Sequence, residues 1–130
     1  MQVKTEYNKS YNVIGKITGS KYPDETISYT AHWDHLGIGA PNEKGDSIYN
    51  GALDNASATA GLLELARGYK KLGPIPERTI ILLSITAEEQ GRWGSAYYAQ
   101  NPMYPIMKTV ATINVDGLNW YGKTTEGIGI

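Results

Sequence analysis

Ile80-Ile81-Leu82-Leu83-Ser84-Ile85 is the densest apolar run in the chain, and it does not alternate. A strand apolar on both faces belongs in the middle of a sheet with helices packed on either side. The run lies inside a predicted strand from Arg78 to Thr86. Before it, Tyr11 to Gly19 alternates weakly and stops at the turn cluster Gly19 to Asp24, the pattern of an edge strand. Thr26 to Ala31 reads as a second strand, and Val110 to Asp116 as another buried one. Thr59, Leu62, Leu63, Ala66 and Tyr69 recur at helical spacing and predict a helix over Ala56 to Lys71. Lys70 and Lys71 suit the negative end of its dipole, and Gly73-Pro74 ends it. A shorter helix, Gly94 to Asn101, is stopped by Pro102, while Gly37 to Asn50, rich in Gly, Pro, Asn and Asp, reads as loop. Strand, helix, strand, helix, strand predicts an α/β fold: a three-layer α/β/α sandwich around a mixed, mostly parallel sheet.

Length and composition narrow the function more than the fold. The 130 residues suit a single domain, 1–130, with a real core. The 12 basic and 13 acidic residues nearly balance, and no Lys/Arg cluster offers a phosphate footprint, so nucleic acid is not an expected partner. The lack of cysteine removes disulfides, thiolate ligands and a cysteine nucleophile together. No apolar run approaches a membrane span, and Met1 to Ser10 is polar, unlike a signal peptide. The ending Gly127-Ile128-Gly129-Ile130 reads as an interrupted strand, so the chain is expected to be a C-terminally truncated, partial domain. Asn8 and Asn55 match the glycosylation sequon, but Asn55 sits too close to the candidate chemistry for a glycan to be expected there.

That chemistry lies where the predicted strands end. His32 and Asp34 follow the run from Ile27, Glu88 and Glu89 follow Thr79 to Ile85, Asp116 closes Val110 to Val115, and Asp54 opens the long helix. In open α/β sheets, ligands bind outside the carboxyl ends of the strands. Each group has an ordinary explanation of its own. His32 can be a surface histidine beside a solvated acid, Asp54 an N-cap worth about 1 kcal/mol, Glu88 and Glu89 the dipole-favoured start of a helix, Asp116 a turn residue. One explanation covers them all. Acids gathered with a histidine and no cysteine make a hard-to-borderline metal site, zinc first. On extended backbone His32 and Asp34 share a face, so the Asp34 carboxylate is expected to accept one imidazole proton and leave the other nitrogen for metal. His35 faces the other way and reads as structural or as a support for the ligands. Asp54 can bridge two ions, and one of Glu88 and Glu89 can bind metal while the other shuttles a proton. Trp93 and Trp120 are placed to wall a substrate pocket. No Gly-x-Ser-x-Gly elbow or His-Glu-x-x-His helix is present, which leaves a serine hydrolase unsupported and removes a thermolysin-type site.

Four segments then occur in the order of one family: Ala31-His32-Trp33-Asp34-His35-Leu36-Gly37, Gly51-Ala52-Leu53-Asp54-Asn55-Ala56-Ser57, Thr86-Ala87-Glu88-Glu89-Gln90-Gly91 and Asn114-Val115-Asp116. From about Tyr11 to Tyr121 the chain resembles the co-catalytic di-zinc exopeptidases that include aminopeptidase Y, bacterial leucyl aminopeptidases and glutamate carboxypeptidase II. The resemblance implies that His32 and Asp116 hold one zinc, that Asp54 bridges to a second held by Glu89, that Glu88 is the general base, and that Asp34 orients His32. It implies a cis peptide at Asp54-Asn55, a peptide substrate with a free terminus, and a secreted or periplasmic parent. Ala58 stands where the family often has glycine. The family's last ligand is a later histidine, whereas here the only histidines are His32 and His35. The zinc at His32 is therefore expected to be the tighter, peptidase activity of this chain weak or absent, and self-association through the truncated face possible. Two alternatives share the resemblance: a non-catalytic peptidase-like domain, and a single-zinc acyltransferase like glutaminyl cyclase.

Overall fold

A computed structural model describes residue 4 and residues 6–118. Four strands form the main sheet: β1 (Val13–Ile17), β2 (Tyr22–His32), β5 (Arg78–Ile85) and β6 (Thr109–Asn114), in the order β1-β5-β2-β6. β1 runs antiparallel to β5, while β2 is parallel to both β5 and β6, so the sheet is mixed and mostly parallel. Helix α1 (Ala58–Leu72) connects β2 to β5, and α2 (Trp93–Gln100) lies between β5 and β6.

The two-faced apolar run of β5 has the central place its pattern predicts, because each of its faces meets a different layer. Ala31, Ala58 and Leu62 form one core with Tyr29, Leu65 and Leu82, which seats α1. Ile81, Leu83 and Ile85 form the other with Ile14, Tyr98 and Tyr104, on the side of α2. Burying an isoleucine or leucine of this kind contributes about 1.5–3 kcal/mol relative to leaving it exposed. Gly94 lets α2 close on the end of β5: a Cβ there would lie 2.2 Å from the Thr86 carbonyl oxygen.

The parallel register is what assembles the candidate chemistry. His32 pairs with Ile85, and Thr30 with Asn114, so two further steps along β6 bring Asp116 beside His32. A hydrogen bond of 2.9 Å from Val115 N–H to the Thr30 carbonyl carries the ladder past the end of β6.

Several boundaries differ from the sequence reading. The long helix starts at Ala58 because Asp54 and Asn55 have non-helical dihedrals, which break Ala52–Ser57 into an irregular turn. The loop between Gly37 and Asn50 carries a small antiparallel pair, β3 (Gly37–Ile38) with β4 (Ile48–Tyr49). β2 begins at Tyr22, with a register shift before Thr26, inside the expected turn cluster. The largest correction concerns β6. Val110 and Ile113 are exposed, and the strand is not buried as its apolar composition predicts. Its only partner among the described residues is β2, which leaves its outer edge uncovered. No helix of the described residues is long and apolar enough to cross a membrane.

Candidate metal centre

His32 ends β2 with its imidazole buried, and its two nitrogens meet different chemistry. Nδ1 lies 2.9 Å from the backbone carbonyl oxygen of Asp34. A carbonyl only accepts, so Nδ1 carries the hydrogen and, in the neutral ring, Nε2 presents a lone pair. That lone pair faces two carboxylates, with Asp54 Oδ1 at 3.1 Å and Asp116 Oδ1 at 3.3 Å. Three acceptors therefore converge with no hydrogen to share unless a cation sits among them. Zinc ligands at about 2.0–2.1 Å on a tetrahedron lie roughly 3.3 Å apart, so this spacing suits the ion.

Glu89 completes the cluster. One ligand atom from each of His32, Asp54 and Glu89 lies within 4.8 Å of the others. Glu88 and Glu89 do not start a helix; they sit in the turn ahead of α2, where Gly91 and Arg92 donate N–H bonds to the Glu88 carbonyl. Asp54 caps no helix either, since neither Gly51 nor Ser57 shows a side-chain cap. The peptide bond between Asp54 and Asn55 is cis, as the resemblance implies.

The reading of Asp34 requires a correction. Its carboxylate is 3.9 Å from His32 Nδ1 and instead accepts the Glu88 N–H at 3.4 Å, while its backbone carbonyl holds the imidazole. β2 stops at His32, so the shared-face rule for extended backbone no longer applies two residues on. In the sequence Asn55 stands out as a sequon and as half of the expected cis peptide, with no sign of the contacts it makes. It is buried, its Nδ2 donates to the Val115 carbonyl at 2.9 Å, and its Oδ1 accepts the Gly117 N–H at 3.0 Å. The two bonds bracket Asp116 on either side and fix where its carboxylate starts. Thr59 similarly donates to the His32 carbonyl at 2.9 Å, tying α1 to the end of β2.

A cavity of 380 Å³ opens beside the centre, and His32, Glu88 and Asp116 form part of its wall with Thr30, Ser95 and Asn114. Trp93 is exposed and does not line it, which corrects the expectation for that residue; Trp120 lies outside the described residues.

Burial lowers the pKa of His32, but the Asp34 carbonyl, the Asp116 carboxylate and the charge of Glu88 outweigh it, leaving the pKa above the ordinary 6.5. A proton thus takes the place of a metal at Nε2 when the pH is low. Zinc requires the neutral ring, so its affinity is expected to fall as pH drops through that raised value, with a proton released on binding. Titration calorimetry in buffers of different ionisation heat checks this; no proton release just below the raised pKa contradicts it.

The pattern of peptidase family M28 matches residues 12–127. The chain belongs to peptidase family M28. It is similar to a probable zinc metalloprotease of Pyrenophora tritici-repentis, 40% identical over 107 residues, covering 82% of this chain and 20% of that protein. Carboxypeptidase Q of Rattus norvegicus is 37% identical over 107 residues, again with 82% of this chain and 21% of the relative covered. Among solved structures, a zinc aminopeptidase from Bacillus subtilis superposes with a TM-score of 0.64 at 25% identity, covering 82% of this chain and 24% of the other. This M28 chain spans about a fifth of the length of the curated relatives it matches. The M28 likeness agrees with the α/β/α sandwich expected from the sequence.

Proposed function

We propose that this chain carries the metal centre of a zinc-dependent aminopeptidase that hydrolyses the terminal peptide bond of a substrate with a free amino group. The observation that carries the reading is the convergence of the His32 Nε2 lone pair with carboxylate oxygens of Asp54 and Asp116 at 3.1 and 3.3 Å. Zinc bound there supplies Lewis-acid polarisation of a carbonyl and water acidic enough to ionise near neutral pH.

The chain's own groups divide the remaining work. His32 and Asp116 would hold one ion, and Asp54 and Glu89 would hold a second. The Asp34 carbonyl fixes the His32 tautomer. Glu88 accepts a proton from water and later returns it to the leaving amine. The acids around the centre favour a cationic substrate terminus, which gives exopeptidase action and agrees with the zinc aminopeptidase among the structural neighbours.

Aminoacyl-anilides are therefore expected to be cleaved by the polypeptide that carries this centre, and their N-acetylated counterparts spared. Equal turnover of both sinks the aminopeptidase reading. The compact trio His32, Asp54 and Glu89 also suits one ion, which supports a second reading as a single-zinc acyltransferase of glutaminyl-cyclase type. Two bound zinc ions per chain favour the peptidase, with the His32 site the tighter; one favours the acyltransferase.

A further inference from the structure

We infer that His35 is a positioning residue for Glu89, holding one carboxylate oxygen so that the other is presented to metal. The inference rests on the reading of Glu89 as a zinc ligand and assigns the group that aims it. His35 Nδ1 lies 2.8 Å from Glu89 Oε1, and both side chains are about four-fifths buried, with 21% and 20% exposure. Against a carboxylate the imidazole nitrogen must be the donor, and this bond leaves Oε2 uncommitted. Among the described residues no other side chain bonds or pairs with the Glu89 carboxylate.

The need for such a support follows from where Glu89 sits. It stands on a turn ahead of α2 and not on a strand or helix, and its long side chain must give up its rotamer freedom to ligate. His35 is itself held from behind. The Tyr49 ring lies 6.4 Å from its imidazole at a tilt of 60°. The loop after β4 closes on it at Gly51, where φ is +62° and a Cβ would lie 2.7 Å from the His35 Cβ. Only glycine meets both conditions. Through His35, which is 54 residues from Glu89 in the chain, the small β3–β4 pair thereby braces the ligand-bearing turn.

Partners hydrogen-bonded to ligands typically carry 10–100-fold in metal affinity. The test uses the 130-residue chain with zinc or cobalt(II) alone, read by chelator competition and by the visible absorption of bound cobalt. His35→Phe, which keeps a ring but no donor, is expected to weaken the Glu89-dependent binding step about 10–100-fold and to shift the cobalt spectrum. His35→Asn places an amide nitrogen the same number of bonds from the backbone and is expected to restore both. A wild-type isotherm and spectrum in His35→Phe overturns the inference, as does a His35→Asn no better than His35→Phe. If circular dichroism shows the Phe variant unfolded, His35→Ala takes its place against the same Asn control. Glu89→Ala separates the two levels: unchanged binding there removes Glu89 as a ligand, whereas loss there with none in His35→Phe removes only the role of His35.

Discussion

In the complete polypeptide that carries this centre, replacing Glu88 by Gln is expected to lower the kcat for aminoacyl-anilide hydrolysis by about 10²–10⁴-fold, the range that a positioned general base contributes. Zinc uptake is expected to stay within a few-fold of the wild type. The two neighbouring acids are separated by their surroundings. The Glu89 carboxylate is engaged by His35 at 2.8 Å, whereas that of Glu88 has no hydrogen-bond or ion-pair partner among the described residues and borders the cavity beside His32 and Asp116. A carboxylate left uncommitted at the mouth of a metal centre can take up and release a proton; one used as a ligand cannot. Gln keeps the size and removes the basicity, so the loss is expected in kcat with KM little changed, the signature of an interaction made in the transition state. Full turnover in the variant rejects the general-base role. Loss of zinc together with turnover makes Glu88 a ligand instead.

How much of this was legible in the sequence depends on whether local pattern or long-range contact decides the feature. The central place of β5 was legible because its run is apolar on both faces, and no edge position satisfies such a run. The meeting of His32 with Asp116 was legible once both were placed at the ends of parallel strands, since register then does the rest. The exposure of β6 was not. Val110 and Ile113 are as apolar as core residues, and whether they are covered depends on what packs beyond the strand, which its own sequence does not encode. Asp34 meets its expected neighbour through a different atom, because extended-strand parity does not hold two residues past the end of β2. Asn55 bonds to Val115 and His35 to Glu89, partners 60 and 54 residues away, and nothing local in the sequence signals either contact. Supports of this kind are found by geometry.

Replacing His32 by Ala is expected to weaken zinc binding by about 10²–10³-fold. Apparent binding energies of about 10–16 kcal/mol shared over four ligands come to roughly 2.5–4 kcal/mol for one of them. His32 stands apart from the acids because it is the one nitrogen donor among His32, Asp54 and Glu89 and the most deeply buried of them, at 4% exposure, while the Asp54 and Asp116 side chains are more than half exposed. An exposed carboxylate can re-orient or be replaced by water with little rearrangement; the Nε2 of a buried ring fixed by the Asp34 carbonyl is lost outright. Asp116→Asn is accordingly expected to cost less than His32→Ala. The fold itself is expected to survive the change. The His32 carbonyl still accepts from Thr59, and the Trp33 N–H still donates to the Ile85 carbonyl at 2.9 Å, so the end of β2 keeps its backbone partners. Circular dichroism beside chelator competition checks both halves. A folded His32→Ala chain that binds zinc as tightly as the wild type removes the imidazole from the site, and with it the reason for the acids to gather there.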